Sequence, residues 1–225
     1  MKNNLQKISR SQIELFIECP RCFWLQAKHN IKRPEGIKGG YIGSKYDPLL
    51  KAYFDKHRKE NKTPEELLKH NLELFPNLNQ LKSWRGSGIQ FEHPEHKVIY
   101  YGKIDDILVR EKKFLVPIDF KTTISKEFLI REEYKRQLEI YGYLLKKNNI
   151  EVLNIGVLYV IKIDINENFE KIEERTIYFL ENLDYDKYDE ILENLIKTYR
   201  SSNEPEYNPN CEFCQRDFQI RNLSY

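Results

Sequence analysis

The chain is 225 residues long, enough for one large domain or one domain with lobes. Its 40% hydrophobic residues can fill a sizeable core, and its 15 Tyr and 12 Phe argue against disorder. With 37 Lys and Arg against 35 Asp and Glu, the net charge of +2 excludes a basic tail or arm, so any nucleic-acid contact must come from a local cluster.

The opening residues, MKNNLQKISR, carry no apolar signal-like stretch, and no apolar run approaches membrane-spanning length. A cytoplasmic protein with no membrane partner is therefore expected. In chain order, Ser11-Gln-Ile-Glu14 has capping-box spacing and predicts a short helix ending at Cys19-Pro20. A loop containing Gly36, Gly39, Gly40 and Gly43 leads to Asp47-Pro48, which reads as an N-cap and first helical position for LLKAYFDKHRKE. PEELLKHNLELF, at 64–75, reads as another helix, and 79–96 shows no clear pattern.

Two strand-like runs follow, KVIYYGKIDDILVR (97–110) and FLVPIDFKTT (114–123), joined at Glu111-Lys-Lys113 as a hairpin without a turn glycine. A strongly periodic helix is expected at about 131–148, then strands over 153–164 and 171–180, and a closing helix over 186–201. This order implies an α/β fold (α+β) with a mixed central sheet flanked by helices. A single domain over 1–225 is expected, with a helical part to about 96, a core over about 97–165, and a C-terminal helix and tail over about 186–225.

The hairpin concentrates the chemistry. If it is centred on Lys112, Asp105 lies opposite Asp119, where like charges with Cβ atoms about 4.5–5.5 Å apart repel. Lys121 shares the Asp119 face by strand alternation, while Ile118 and Phe120 point to the other side. The bland reading is that Lys121 neutralises Asp119 on a solvated strand face and Asp105-Asp106 begins a loop. The functional reading is a hard divalent cation bridging the two carboxylates, as Mg²⁺ does with carboxylates, waters and phosphate oxygens. Lys121 would then orient an attacking water or stabilise charge developing on phosphorus. In the next helix, Gln137 and Tyr141 are four apart and share a face, with Arg131, Lys135 and Arg136 adding positive charge.

The cysteines fall as two CxxC pairs, Cys19-Pro-Arg-Cys22 and Cys211-Glu-Phe-Cys214. In a cytosolic chain this pattern favours a metal site over disulfides. Such a site would pin the first helix to the tail, with binding energy acting as folding energy. The aromatic run CFWL (22–25), followed by Lys28, Lys32 and Arg33, could stack on and grip a nucleic-acid strand, although such aromatics more often fill a core.

GKIDDI (102–107), PIDFKT (117–122) and QLEIY (137–141), in that order, resemble the PD-(D/E)XK nuclease superfamily. The likeness is to its RecB-like branch, which includes CRISPR-associated Cas-type exonucleases, and it covers about residues 97–165. Ser11, Phe16, Cys19 and Pro20 also fit that branch's N-terminal element. The resemblance implies a Mg²⁺- or Mn²⁺-dependent deoxyribonuclease, with exonuclease action on DNA ends or single strands the expected form and the motifs alone not separating it from an endonuclease. It implies Asp105, Asp119 and the Phe120 backbone carbonyl as metal ligands, Lys121 as the catalytic lysine, and Gln137 and Tyr141 as the QxxxY motif. It also implies helicase, CRISPR or recombination partners, and a [4Fe–4S] cluster on Cys19, Cys22, Cys211 and Cys214, with Zn²⁺ the alternative. The cysteines depart from the branch's one-plus-three pattern by splitting two and two. A second departure is the missing histidine after the glycine loop, for which Asp47 is a candidate replacement ligand besides being a candidate N-cap. His57 lies too deep in its helix for that role, and His93 and His96 read as loop residues. The rival expectation is an inactive nuclease-fold subunit that binds nucleic acid or serves assembly.

Overall fold

The computed structural model describes residues 5–34, 41–165 and 171–223. It opens with strand β1 (Gln6–Ser9) and helix α1 (Arg10–Glu18). The capping box is formed by Ser9 and Gln12, not by Ser11 and Glu14: the Ser9 hydroxyl accepts from the Gln12 N–H, and Gln12 accepts from the Ser9 N–H. Cys19 ends α1 and caps α2 (Pro20–His29), where Pro20 occupies a position whose N–H needs no helical partner.

Helix α3 (Tyr41–Lys59) corrects the expected start at Asp47, because Pro48 lies inside it. The buried stripe of Leu50 and Phe54, packed edge-on against Phe120 and Tyr159, offsets the hydrogen bond that proline removes. Gly43 is helical here, and Gly36, Gly39 and Gly40 lie outside the described residues.

The expected helix over 64–75 is instead a single turn, α4 (Glu65–Leu68), followed by strand β2 (Glu73–Leu74). Asn71 adopts a left-handed conformation and breaks the periodic pattern, which lets Leu67, Leu72 and Leu74 all reach the core. The unpatterned stretch contains α5 (Leu78–Gly86) and β3 (Ile89–His93). Among the described residues, the part before residue 97 thus supplies three strands as well as helices.

Residues 97–110 form two strands rather than one, β4 (Val98–Gly102) and β5 (Asp106–Arg110). The chain bends between them and passes from one sheet to another. Then come β6 (Phe114–Thr123), α6 (Glu132–Lys147), β7 (Ile155–Ile165), β8 (Lys171–Glu181), α7 (Lys187–Arg200) and α8 (Glu212–Leu223). The smaller sheet has the order β1-β4-β3, and the larger has the order β2-β5-β6-β7-β8. Both are mixed: β1 is parallel to β4 and β6 is parallel to β7, while the other neighbours are antiparallel.

The hairpin register matches the expected centre. Arg110 faces Phe114 and Asp106 faces Ile118, so the next step outward sets Asp105 against Asp119. Glu111 and Lys112 both take positive φ, as the tight turn demands even without glycine. Pro117 is tolerated in a central strand because β7 pairs with β6 only from Ile118 onward.

One face of the large sheet, with Val116, Ile118 and Phe120, packs on α3. The other face carries α6, whose Leu138, Tyr141, Leu144 and Leu145 share a core with α7 and the smaller sheet. Gly142 permits close approach there, since a Cβ would sit 2.2 Å from the Tyr185 ring. Phe23 and Trp24 are buried, so the CFWL aromatics serve the core rather than an exposed grip. Among the described residues, no helix is long and apolar enough to cross a membrane.

Candidate active site and cysteine centre

The bend after β4 places Asp105 outside the strand ladder, with its carboxyl group within hydrogen-bonding reach of Asp119. The Phe120 N–H donates to Asp105 Oδ2 at 3.0 Å, which ties the bend to the facing strand. Asp119 is 1% exposed, so its charge has little access to water. Burial, and then the neighbouring Asp105 charge, push its carboxyl up to about 7. Burial also works to raise Asp105, but the Lys51 ammonium and the Phe120 N–H outweigh it and hold that carboxyl below its ordinary range.

Lys121 lies on the same face, with its Nζ 2.6 Å from Asp119 Oδ2. Among the described residues, that ion pair is the one charge-neutralising contact at Asp119 Oδ2, an oxygen buried from water. Two carboxylates that repel form a hard-oxygen donor set that a divalent cation fits.

Helix α6 lays its polar pair against these groups. Gln137 Nε2 donates to Asp119 Oδ1 at 2.5 Å and to the Tyr141 hydroxyl at 3.1 Å, while Gln137 Oε1 accepts from Lys121 Nζ at 3.3 Å. Tyr141 in turn donates to the Lys103 carbonyl at 2.6 Å, and burial keeps its phenol protonated by raising its pKa. Gly102 allows this approach: a Cβ there would stand 3.0 Å from the Tyr141 ring. Tyr134, one turn before Leu138, places its ring 4.4 Å from Lys121 Nζ. From Lys121 a cavity of about 630 Å³ opens between Thr122, Ile124, Phe128, Arg131 and Tyr134. Arg136 instead turns away to pair with Glu14 at 2.7 Å.

Asp47 does not touch Asp105 directly. Lys51 stands between them, 2.7 Å from Asp47 Oδ2 and 2.9 Å from Asp105 Oδ1. Sequence reasoning missed Lys51, whose only signal was its place one helical turn beyond Asp47. It also missed a buried charge network below the site. Asp106, 0% exposed, pairs with Arg58 of α3 and, at 2.8 Å, with Arg85 of α5. Arg85 Nε also donates to the Asp105 carbonyl at 2.7 Å, so one guanidinium holds both ends of the DD pair in place.

Of the histidines, His57 bonds the Tyr53 carbonyl within α3. His93 ends β3 rather than lying in a loop, and His96 is buried in the following turn between Tyr100 and Glu193.

The cysteines converge from both ends of the described chain. Cys19 Sγ lies 3.6 Å from Cys214 Sγ, and Cys22 Sγ lies 3.6 Å from Cys211 Sγ. All four are buried, and the cluster can hold a metal.

A model of the PD-(D/E)XK nuclease superfamily matches residues 7–217. Among solved structures, SSO0001 is similar over 97% of this chain and 86% of its own, at 19% identity and a TM-score of 0.42. A protein named as a candidate exonuclease from Eubacterium rectale is similar over 94% of this chain and 88% of its own, at 10% identity and a TM-score of 0.48. No curated protein matches the chain.

Proposed function

The chain belongs to the PD-(D/E)XK nuclease superfamily, and from that premise we propose that it is a divalent-metal-dependent DNA exonuclease acting on DNA ends or single strands. The observation that carries this reading is the half-buried Asp105 facing the buried Asp119, with Lys121 2.6 Å from Asp119 Oδ2. Asp105, Asp119 and the Phe120 carbonyl would hold Mg²⁺ or Mn²⁺, which supplies charge neutralisation and polarises a phosphodiester. Lys121 orients water toward phosphorus and stabilises the charge that develops on the phosphoryl oxygens. Gln137 steers both Lys121 and Asp119, and Tyr141 anchors Gln137 to the bend through the Lys103 carbonyl. The cavity beyond Lys121 gives a strand its approach. A cytoplasmic setting, with helicase, CRISPR or recombination proteins as partners, belongs to the same reading.

End-labelled single- and double-stranded DNA incubated with Mg²⁺ or Mn²⁺ tests it. The wild type should degrade label from an end, and Lys121→Ala should lose about 10²-fold or more in rate, the scale of a lost charge-stabilising group. Equal cleavage by both would remove Lys121 from the site. The placement of Lys51 on Asp105 favours a second reading, in which the fold binds nucleic acid or serves assembly without cleaving it. Tight DNA binding with no cleavage under either metal would select that reading.

A further inference from the structure

We infer that Cys19, Cys22, Cys211 and Cys214 hold a single tetrahedral zinc ion, in place of the iron–sulfur cluster that the family resemblance implies. The size of the sulfur cage carries the argument. The two cross-chain pairs are 3.6 Å apart, and all four sulfurs lie within 4.8 Å of one another. A zinc ion with bonds of about 2.3 Å sets tetrahedral sulfurs about 3.8 Å apart, which falls inside that span. Four points within 4.8 Å of one another fit inside a sphere of radius about 2.9 Å, little more than one zinc–sulfur bond. A four-iron, four-sulfide core attaches each thiolate to a different iron, and its eight atoms would have to fit inside that sphere. There is room for one ion.

The surroundings agree with four thiolates on one dication. The Cys22 N–H donates to Cys19 Sγ at 3.4 Å. The first CxxC turn therefore directs a main-chain N–H at its leading sulfur. Four thiolates around Zn²⁺ leave a charge of −2, and two guanidiniums that also pair with Glu18, Glu204 and Asp217 donate to the sulfurs: Arg33 Nη2 is 3.5 Å from Cys211 Sγ, and Arg21 Nη1 is 3.7 Å from Cys214 Sγ. Loading the site releases the four thiol protons to solvent, with no redox step. Hard metals of the nuclease site are poor competitors here, because thiolates select soft or borderline ions.

Metal analysis of the full chain tests the assignment independently of any nuclease activity. The protein is purified both in air and anaerobically, from cells supplied with zinc and iron together. The expected result is a colourless protein with one zinc per chain, released in step with modification of four thiols by a mercurial. Exchange with Co²⁺ should give the intense visible bands of a tetrahedral cobalt–thiolate site. A brown anaerobic preparation with about four irons and inorganic sulfide per chain would overturn the inference. So would one bound iron without sulfide, or a protein free of metal in both preparations.

Discussion

Asp119 is buried beside a second carboxyl, and the two effects together raise its pKa to about 7. In the unfolded chain the same group titrates near about 3.9, so between those values the folded state binds the extra proton. Its stabilising contribution is therefore present below about pH 4 and is lost as pH rises through 7, in the absence of metal. Asp119→Asn should raise the melting temperature of metal-free protein at pH 7.5 by a few degrees, about 1 kcal/mol, and flatten its dependence on pH. A lower melting temperature for Asn would show that the Lys121 ion pair outweighs the repulsion. Lys51 offers a second test at this scale, since its ammonium occupies an oxygen of Asp105. Lys51→Met should tighten Mn²⁺ binding about tenfold by calorimetry, and weaker binding would make Lys51 a helper rather than a competitor. Asp105, Asp119, Lys121, Gln137 and Tyr141 could be gathered from the sequence because each relation is local: a hairpin symmetric about Lys112 and one helical turn. Lys51 lies far from Asp105 in the chain, and no short-range pattern connects them.

At the scale of elements, the bend between β4 and β5 is the feature that places Asp105. The run 97–110 reads as one strand because apolar β-formers continue through it. What interrupts it is long-range: Arg85 takes the Asp105 carbonyl, and Arg58 with Arg85 takes the Asp106 side chain. Periodicity carries no information about ion pairs between distant elements; the only local sign of a break is Asp105-Asp106, β-depleted residues that can begin a loop. Asp106→Ala leaves two buried guanidiniums without their shared carboxylate and should cost about 3–5 kcal/mol in urea denaturation. A loss below about 1 kcal/mol would mean that Asp55, which also pairs with both arginines, holds the network alone. The stretch 64–75 teaches a related lesson. Its leucines suit a helix, yet Asn71 turns the backbone and β2 gains a partner in β5.

Across the whole molecule, the cysteine centre and the β-sheets serve different purposes. The sheets bring Asp105 and Asp119 together, whereas the cysteines fasten α2 to the start of α8. The mixed fold was legible because the strand and helix patterns follow one another in blocks. The division into two sheets was not, because it depends on the bend described above. Cys211→Ser should weaken metal retention and make the segment between α7 and α8 the first point of limited proteolysis. The Asp105–Asp119 region should keep its protection from hydrogen exchange longer than the tail does. Simultaneous loss of protection in both regions would show that the fastening supports the entire fold.

The Cys19–Cys214 contact spans 195 positions of sequence. A chain emerging from the ribosome can pair β4 with β3 and close the β5–β6 hairpin long before Cys211 is made. The amino-terminal thiols must wait, reduced and open, until Cys211 and Cys214 have been synthesised. A polypeptide cut short before Cys211 would therefore carry both acidic residues and Lys121 but could never close its clasp. Closure of the cysteine centre therefore comes after the sheets have formed, and a chain cut between β6 and Cys211 is left loose at its amino-terminal helices.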